Sequence, residues 1–408
     1  MCDQTVDRKK SIELADVFCQ YGTDYIEQHG VSAAQNKVIK AIAHCRTSAL
    51  GGHVSCCNHC GVKEISYNSC RYRYCPKCQT TKQLQWLEDR KAELLPVPYF
   101  HVVFTLPHEL NALASYNPSV LYNLLFKAAW STVNTLGQDK KRLGGTMGML
   151  AFLHTWGQTL TQHIHLHCII PGGALCDANG QKEWHETKPG YLFPVAVMSK
   201  LFGKIFITLL QKAFANNEFT FKGSIAELSK PKQFAALITQ LKEKSWNVYA
   251  KEPFNGAEGG LEYLARYVSK TAIGNERILS CDNEKVSFTW RDYSDDNKSK
   301  IMMLDAHEFI RRYLSHVLPD GFMRIRSFGF LANACKTKNI NLIRSLVNPE
   351  ETNPYEKKSK ADKEPVVELI KRVTGVDIDL CKHCKIGRLE VIQLIPSVKQ
   401  AVLYEDSS

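Results

Sequence analysis

Three histidines alternate with apolar residues in Gln162 to Gly173, QHIHLHCIIPGG, where Ile164 and Leu166 separate His163, His165 and His167. The alternation and the apolar run Cys168-Ile169-Ile170 predict a strand, which projects all three imidazoles from one face. Neighbours on one face of a strand lie about 6.6 Å apart, close enough for two imidazoles to meet one metal ion, whereas His163 and His167 lie about 13 Å apart. One adjacent pair therefore binds, and His165 belongs to either pair. The competing account is a strand whose histidines only make hydrogen bonds.

The cysteines offer a second kind of site. Cys57-Asn58-His59-Cys60 and Cys75-Pro76-Lys77-Cys78 are two Cys-x-x-Cys knuckles, each tight enough to aim two thiolates at one ion. Together they predict a structural, tetrahedral four-sulfur Zn²⁺ site made of Cys57, Cys60, Cys75 and Cys78. His53, Cys56 and Cys70 lie in the same stretch, so one of them could replace a knuckle member, or a second ion could be present. Cys381-Lys382-His383-Cys384 is half of such a site; it must borrow ligands from afar, with Cys335 one candidate, or do nothing. Tyr67, Arg71, Tyr72, Arg73 and Tyr74 interleave cations with aromatics, the combination that pairs with phosphates and stacks on bases of single-stranded nucleic acid.

A third group is Tyr263 and Tyr267, which stand at i and i+4 in GLEYLARYVSK and share one face if the segment is helical. Each has a cation three residues on, Arg266 and Lys270. Such a cation could hold a phosphate or ease ionisation of a phenol whose ordinary pKa is about 10. Two aromatics at this spacing also suit a core stripe, and the sequence alone leaves both readings open.

These groups need a scaffold. The chain has 408 residues and a net charge of +11, from 52 Lys plus Arg against 41 Asp plus Glu. That excess suits an anionic partner, nucleic acid first and an anionic membrane surface second. No apolar run approaches the ~18 residues of a membrane span, and the first ten residues are polar, so a soluble, intracellular protein is expected. The fifteen cysteines accordingly read as metal ligands before disulfides.

Ser11 to Ala49 reads as helical with a break near Gly30. The cysteine stretch follows, and Thr81 to Leu94 is helical again. Tyr99 to Leu106, Met149 to Trp156, Gln162 to Ile170, Trp246 to Tyr249 and Val286 to Trp290 read as strands, while Pro118 to Leu136, Val195 to Phe214, Gly256 to Ala272 and Ala306 to Val317 contain helices. The order predicts an α+β fold with a mainly antiparallel sheet and flanking helices. The expected domains are a helical segment over 1–50, a zinc-binding domain over 51–95, a catalytic domain over 96–345, a Pro-punctuated linker over 346–366 and a C-terminal tail over 367–408.

Taken together, the motifs resemble a known family. The histidine strand resembles the HUH motif of endonucleases that nick single-stranded DNA, and the tyrosine helix resembles the paired tyrosines of their two-tyrosine branch. HVSCCNHCG, NSCRYRYCPKC, YFHVVFTLP, TWGQTLTQHIHLHCIIPGG and YLARYVSKTAI, in that order from about Ala15 to Lys336, are similar to the zinc-headed rolling-circle transposases of the insertion-sequence-ninety-one family. Two positions depart from the pattern: Tyr74 stands where a histidine is expected, and Lys385 where a glycine is expected after Cys384.

The resemblance implies an HUH endonuclease-like sheet in which His165 and His167 hold a Mg²⁺ or Mn²⁺ ion, with Tyr263 or Tyr267 attacking a DNA phosphate to leave a 5′-phosphotyrosine and a free 3′-hydroxyl. The expected partners are single-stranded element ends, with host replication or helicase factors supplying unwinding, since no Walker-type loop is present. The expected setting is the bacterial cytoplasm and its nucleoid. If Gly157 and Gln162 flank a four-residue turn, the hairpin register puts His154 opposite His165, which makes His154 the candidate third ligand, with Gln158 and Gln162 as rivals. The alternatives are a plasmid or phage replication initiator or relaxase of the same chemistry, and a non-catalytic zinc-ribbon nucleic-acid binder.

Overall fold

The computed structural model describes residues 11–251, 271–350, 354–356 and 364–398. Helices α1 (Leu14–His29) and α2 (Ala33–Ala43) form an antiparallel pair. Gly30 ends the first of them at φ 65°, and Ser32 starts the second by accepting the Gln35 N–H while the Gln35 side chain reaches back to the Ser32 N–H. Strands β1 (Gly52–Cys57) and β2 (Lys63–Tyr67) make a hairpin, and α3 (Gln79–Lys91) leads to the larger domain.

The larger domain continues through β3 (Tyr99–Thr105), α4 (Asn111–Tyr116), α5 (Pro118–Gln138), β4 (Gly148–Trp156), β5 (Gln162–Pro171), β6 (Gly173–Ala178), β7 (Gln181–Glu186), α6 (Val195–Ala215), α7 (Pro231–Glu243) and β8 (Asn247–Lys251). After residue 271 come β9 (Ile278–Asp282), β10 (Lys285–Asp292), β11 (Lys298–Asp305), α8 (Ala306–Leu314), β12 (Ile325–Gly329), α9 (Lys336–Val347), α10 (Val366–Thr374) and β13 (Leu389–Ile395). The fold is α+β, as the sequence predicts.

Five strands in the order β12-β4-β5-β3-β8, all antiparallel, form the central sheet. Alternation sorts their side chains onto two faces. Ile164, Leu166, Cys168 and Ile170 of β5 join Phe100, Val102 and Phe104 of β3 and Met149, Ala151 and Leu153 of β4 in one core beneath α5 and α6. The other face carries His165 and His167 at one end, and at the opposite end Ile169, Phe152 and Tyr99, which pack with Ile340 and Ile343 of α9. One sheet thus supplies an anchored face and a working face.

A second sheet, β11-β10-β9, packs with α1, α2 and α8 around Phe18, Phe288, Phe309 and Tyr313. Tyr74 belongs to this core: its hydroxyl accepts the Leu318 N–H at 2.7 Å, and its carbonyl accepts the Tyr313 hydroxyl. Tyr74 therefore acts as a packing residue, and a tyrosine in place of the expected histidine removes nothing from the cysteine cluster beside it. Among the described residues, no helix is long and apolar enough to cross a membrane.

Three elements depart from the sequence reading. The hairpin β6-β7 occupies a stretch to which the sequence reading assigned no strand, and β11 was likewise not foreseen; β7 and β11 are largely exposed, so they lack the apolar alternation that marks a half-buried strand. The segment expected to be a C-terminal tail contributes β13, which pairs antiparallel with β1 from Gly52↔Ile395 to Cys57↔Leu389. Its partner lies at the other end of the chain, beyond the reach of any local pattern.

Candidate active site and metal centres

The β4-β5 hairpin sets His154 directly opposite His165. The ligating nitrogens of His154, His165 and His167 all lie within 4.8 Å of one another, with Nε2 of His165 3.1 Å from Nε2 of His167. All three side chains are buried. His163 is exposed, and its ring nitrogens lie outside this group.

The tautomers follow from the neighbours. Nδ1 of His165 donates to the His163 carbonyl at 2.7 Å, which leaves Nε2 with a lone pair aimed at the cluster. Nδ1 of His167 meets Nε2 of His101 at 2.9 Å, and the two rings stack at 15°. If His167 donates in that bond, its Nε2 carries the lone pair that ligation needs. Burial pushes both His165 and His101 down to about 4, so both are neutral near pH 7, the state metal binding needs. A convergent set of three buried imidazoles has the donor chemistry to hold a divalent cation.

His101 escaped the sequence reading. It lies in YFHVVFTL and pairs with Ile169 in the β3-β5 register, diagonal to His167. The signal becomes visible only once β3 is known to pair with β5.

The imidazoles line a cleft of about 1000 Å³. Its described walls are the β4-β5 turn with Gln158, the β10-β11 hairpin with Trp290, Arg291 and Tyr293, the start of α3 with Pro76, Gln79 and Gln83, and the segment from Thr271 to Arg277. Gln158 donates to the Tyr293 hydroxyl at 2.9 Å, and Arg277 donates to the carbonyls of Thr289 at 2.8 Å and Gln158 at 2.5 Å, so the two hairpins are tied together at the cleft. Gln162 points elsewhere, its side chain accepting from Ser115. Tyr263, Tyr267, Arg266 and Lys270 lie outside the described residues.

His316 supports the hairpin from behind. Its Nε2–H donates to the Leu160 carbonyl at 2.9 Å and its Nδ1 accepts from the Thr155 hydroxyl at 3.2 Å, an arrangement that requires the neutral ring. Burial pushes its pKa down to about 4, against about 6.5 when unfolded. A base depressed in the folded state contributes stability above its unfolded pKa and loses it as pH falls. Unfolding free energy is therefore expected to drop between pH 6.5 and pH 4, by roughly 3 kcal/mol from this residue, and His316→Gln should flatten that part of a urea-denaturation pH series.

The cysteine knuckles correct the expected grouping. Cys57, Cys60, Cys75 and Cys78 are not brought together: Cys75 and Cys78 join Cys45 and Cys70, while Cys57 and Cys60 join Cys381 and Cys384. Spacing determines which cysteines make a knuckle but not which knuckles meet, and the β1-β2 hairpin turns Cys57 and Cys60 toward β13 and away from α3. Cys70, expected as a further ligand, is in the first cluster; His53, Cys56 and Cys335 are in neither. Cys45 was missed because it lies alone at the end of the helical segment.

In the first cluster, Cys78 Sγ lies 3.4 Å from Cys45 Sγ and 3.6 Å from Cys70 Sγ. Four Zn–S bonds of about 2.3 Å in a tetrahedron give sulfur–sulfur edges of about 3.8 Å, so the crowding fits one ion. Hydrogen bonding among the four thiols pulls Cys78 far below the usual thiol range and pushes Cys70 and Cys75 above it, so the support for zinc rests on the spacing of the sulfurs. Nearby, Arg73 is half-buried, donating to the Phe322 carbonyl at 2.9 Å with its guanidinium over the Tyr74 ring, while Arg71 is exposed.

Comparison with known proteins agrees with this layout. Residues 17–106 match a family model described as "Transposase zinc-binding domain", and residues 148–339 match one described as "Putative transposase". A protein named "Putative transposase y4qJ" from Sinorhizobium fredii is 42% identical over 387 residues, 95% of this chain and 96% of the relative. The transposase for insertion sequence element IS801 from Pseudomonas savastanoi pv. phaseolicola is 27% identical over 313 residues, 76% of this chain and 73% of the relative. No solved structure matches the chain.

Proposed function

The chain belongs to the family of transposases that carry an IS91-type zinc-binding domain, and from that membership we propose that it nicks and rejoins single-stranded DNA at the ends of its element through a 5′-phosphotyrosine intermediate. Structural zinc in the cysteine-rich head follows from the matched domain and the thiol clusters. The observation that carries the proposal is the convergence of His154, His165 and His167 on the floor of an open cleft.

In this reading the three imidazoles would hold Mg²⁺ or Mn²⁺, which when bound polarises a non-bridging oxygen of the scissile phosphate. His101 holds His167 in the tautomer that points Nε2 into the cleft. Tyr263 or Tyr267 supplies the nucleophile: its oxygen bonds to phosphorus, the P–O3′ bond breaks, and the 3′-oxygen leaves as a hydroxyl after taking a proton. Arg266 and Lys270 stand three residues beyond the tyrosines in sequence, where a helix would place them beside the phosphate. The phosphotyrosine keeps the energy of the phosphodiester, so a 3′-hydroxyl can reverse the step without ATP. Two tyrosines allow two strands to be held at once.

Chain connectivity supports the role of the tyrosines. Thr271 lines the cleft, and the four residues from Tyr267 to Thr271 reach at most about 14 Å. The cleft is also lined by Trp290 and Tyr293 beside Arg277 and Arg291, which suits bases and phosphates of an unpaired strand.

A single-stranded oligonucleotide carrying the element end and a 3′ fluorophore tests the proposal, because a 5′-phosphotyrosine leaves the label on the protein. A labelled adduct is expected with Mn²⁺ or Mg²⁺, none with EDTA, and none when Tyr263 and Tyr267 are both replaced by Phe. Binding without an adduct across the candidate end sequences would point to a non-catalytic DNA binder.

A further inference from the structure

We propose that Cys57, Cys60, Cys381 and Cys384 form a second tetrathiolate zinc centre, which clamps the C-terminal segment onto the zinc-binding head and closes the chain end to end. The matched zinc-binding domain stops at residue 106, so half of this centre comes from outside it.

The geometry is that of a zinc knuckle pair. Cys57 Sγ lies 3.6 Å from Cys384 Sγ and Cys60 Sγ lies 3.8 Å from Cys381 Sγ, against the sulfur–sulfur edge of about 3.8 Å in a Zn–S tetrahedron. A disulfide would bring two sulfurs to about 2.05 Å, and all four cysteines are free thiols. The two halves repeat one backbone turn: the Gly61 N–H donates to the Cys57 carbonyl at 3.0 Å, and the Lys385 N–H donates to the Cys381 carbonyl at 2.9 Å. Gly61 and Lys385 both have left-handed φ, 70° and 57°. Lys385 therefore occupies the position where a glycine is easiest, and the turn forms all the same. Backbone N–H groups of Cys60 and Gly387 point at Cys57 Sγ and Cys384 Sγ, at 3.5 and 3.3 Å. A Cβ on Gly387 would stand 2.5 Å from Cys57 Sγ, so the second knuckle is built to approach the first this closely.

The ribbon also needs such a clamp. Among the described residues no apolar core covers β13: Val391, Ile392 and Leu394 are all more than half exposed, as is Ile65 of β2. Small sheets without a core depend on metals or cross-links. Besides the β1-β13 ladder, the two ends share the Asn58 hydrogen bonds to Glu390 and to the Arg388 backbone. The Arg372 to Glu88 pair at 2.9 Å ties α10 to α3, but an exposed pair of this kind contributes little.

The test reads metal and thiols, so its result is independent of whether the protein cleaves DNA. Zinc content of the purified full-length protein, measured by plasma mass spectrometry, is expected to fall by one equivalent per chain in Cys381→Ser/Cys384→Ser. Zinc content unchanged by that double substitution would overturn the proposal. Alkylation mapping of the unmodified protein supplies a readout that no folding defect can confuse. Cys60 is exposed and Cys384 half-exposed, so both should react rapidly with iodoacetamide after zinc is chelated and at least tenfold more slowly before. Equal rates in the two states, or disulfides among these four residues in a non-reduced peptide map, would overturn it as well.

Discussion

Replacing His165 and His167 together by alanine is expected to lower strand cleavage by about a thousandfold or more while leaving the protein folded. Loss of a cation that polarises a phosphoryl oxygen removes several kcal/mol of transition-state stabilisation, and about 4 kcal/mol corresponds to a thousandfold in rate. The core should survive, because these side chains lie on the working face of β5 while Ile164, Leu166, Cys168 and Ile170 anchor the opposite face. The comparison with His163→Ala is the sharp part of the prediction. His163 holds His165 through its backbone carbonyl, which alanine keeps, so that variant should retain at least about a third of the activity. Cleavage rates with saturating Mn²⁺, alongside melting curves for both variants, measure the contrast. Comparable losses in the two variants would contradict the assignment of the ion to the buried trio.

The second large effect is expected at the first cysteine cluster. Cys75→Ser should release one zinc per chain and lower both thermal stability and cleavage. Structural zinc supplies on the order of 10 kcal/mol or more to the folds it holds. Here the cluster joins Cys45, just beyond α2, to Cys78 at the start of α3, and its knuckle contains Pro76 and is followed by Gln79, both lining the cleft. Gln79 is also hydrogen-bonded to the Tyr72 carbonyl at 3.0 Å. Loss of the ion therefore frees one wall of the cleft as well as the core around Tyr74 and Tyr313. A fall in melting temperature of about 10 °C, equivalent to several kcal/mol, should accompany the loss of cleavage in a thermal melt and an oligonucleotide assay. An unchanged melting temperature with full zinc content would show that Cys75 is not a ligand.

How much of this was legible beforehand depended on whether the signal was local. The histidine strand was readable because alternation is a local pattern, but the count that placed His154 opposite His165 assumed Gly157 across from Gln162; Trp156 stands there instead, and a register shift between His154 and Trp156 restores the pairing. His101 was not readable, since its role depends on β3 lying beside β5, a pairing between strands far apart in sequence. The cysteines show the same divide. Each Cys-x-x-Cys knuckle is a local turn, but the partner of each is fixed by the tertiary fold, and Cys45 carries no spacing signal at all. The exposed strands β7, β11 and β13 were hidden for a different reason, because burial creates the alternation that sequence reading relies on. The paired tyrosines remain a reading of the sequence and of the family it resembles.

The most direct measurement of the central claim is identification of the residue that carries DNA. The adduct formed with a single-stranded element end should be digested with protease and nuclease and sequenced by tandem mass spectrometry. The nucleotide is expected on Tyr267 or Tyr263, attached through its 5′-phosphate. A nucleotide on any other residue, or attachment through a 3′-phosphate, would contradict the account.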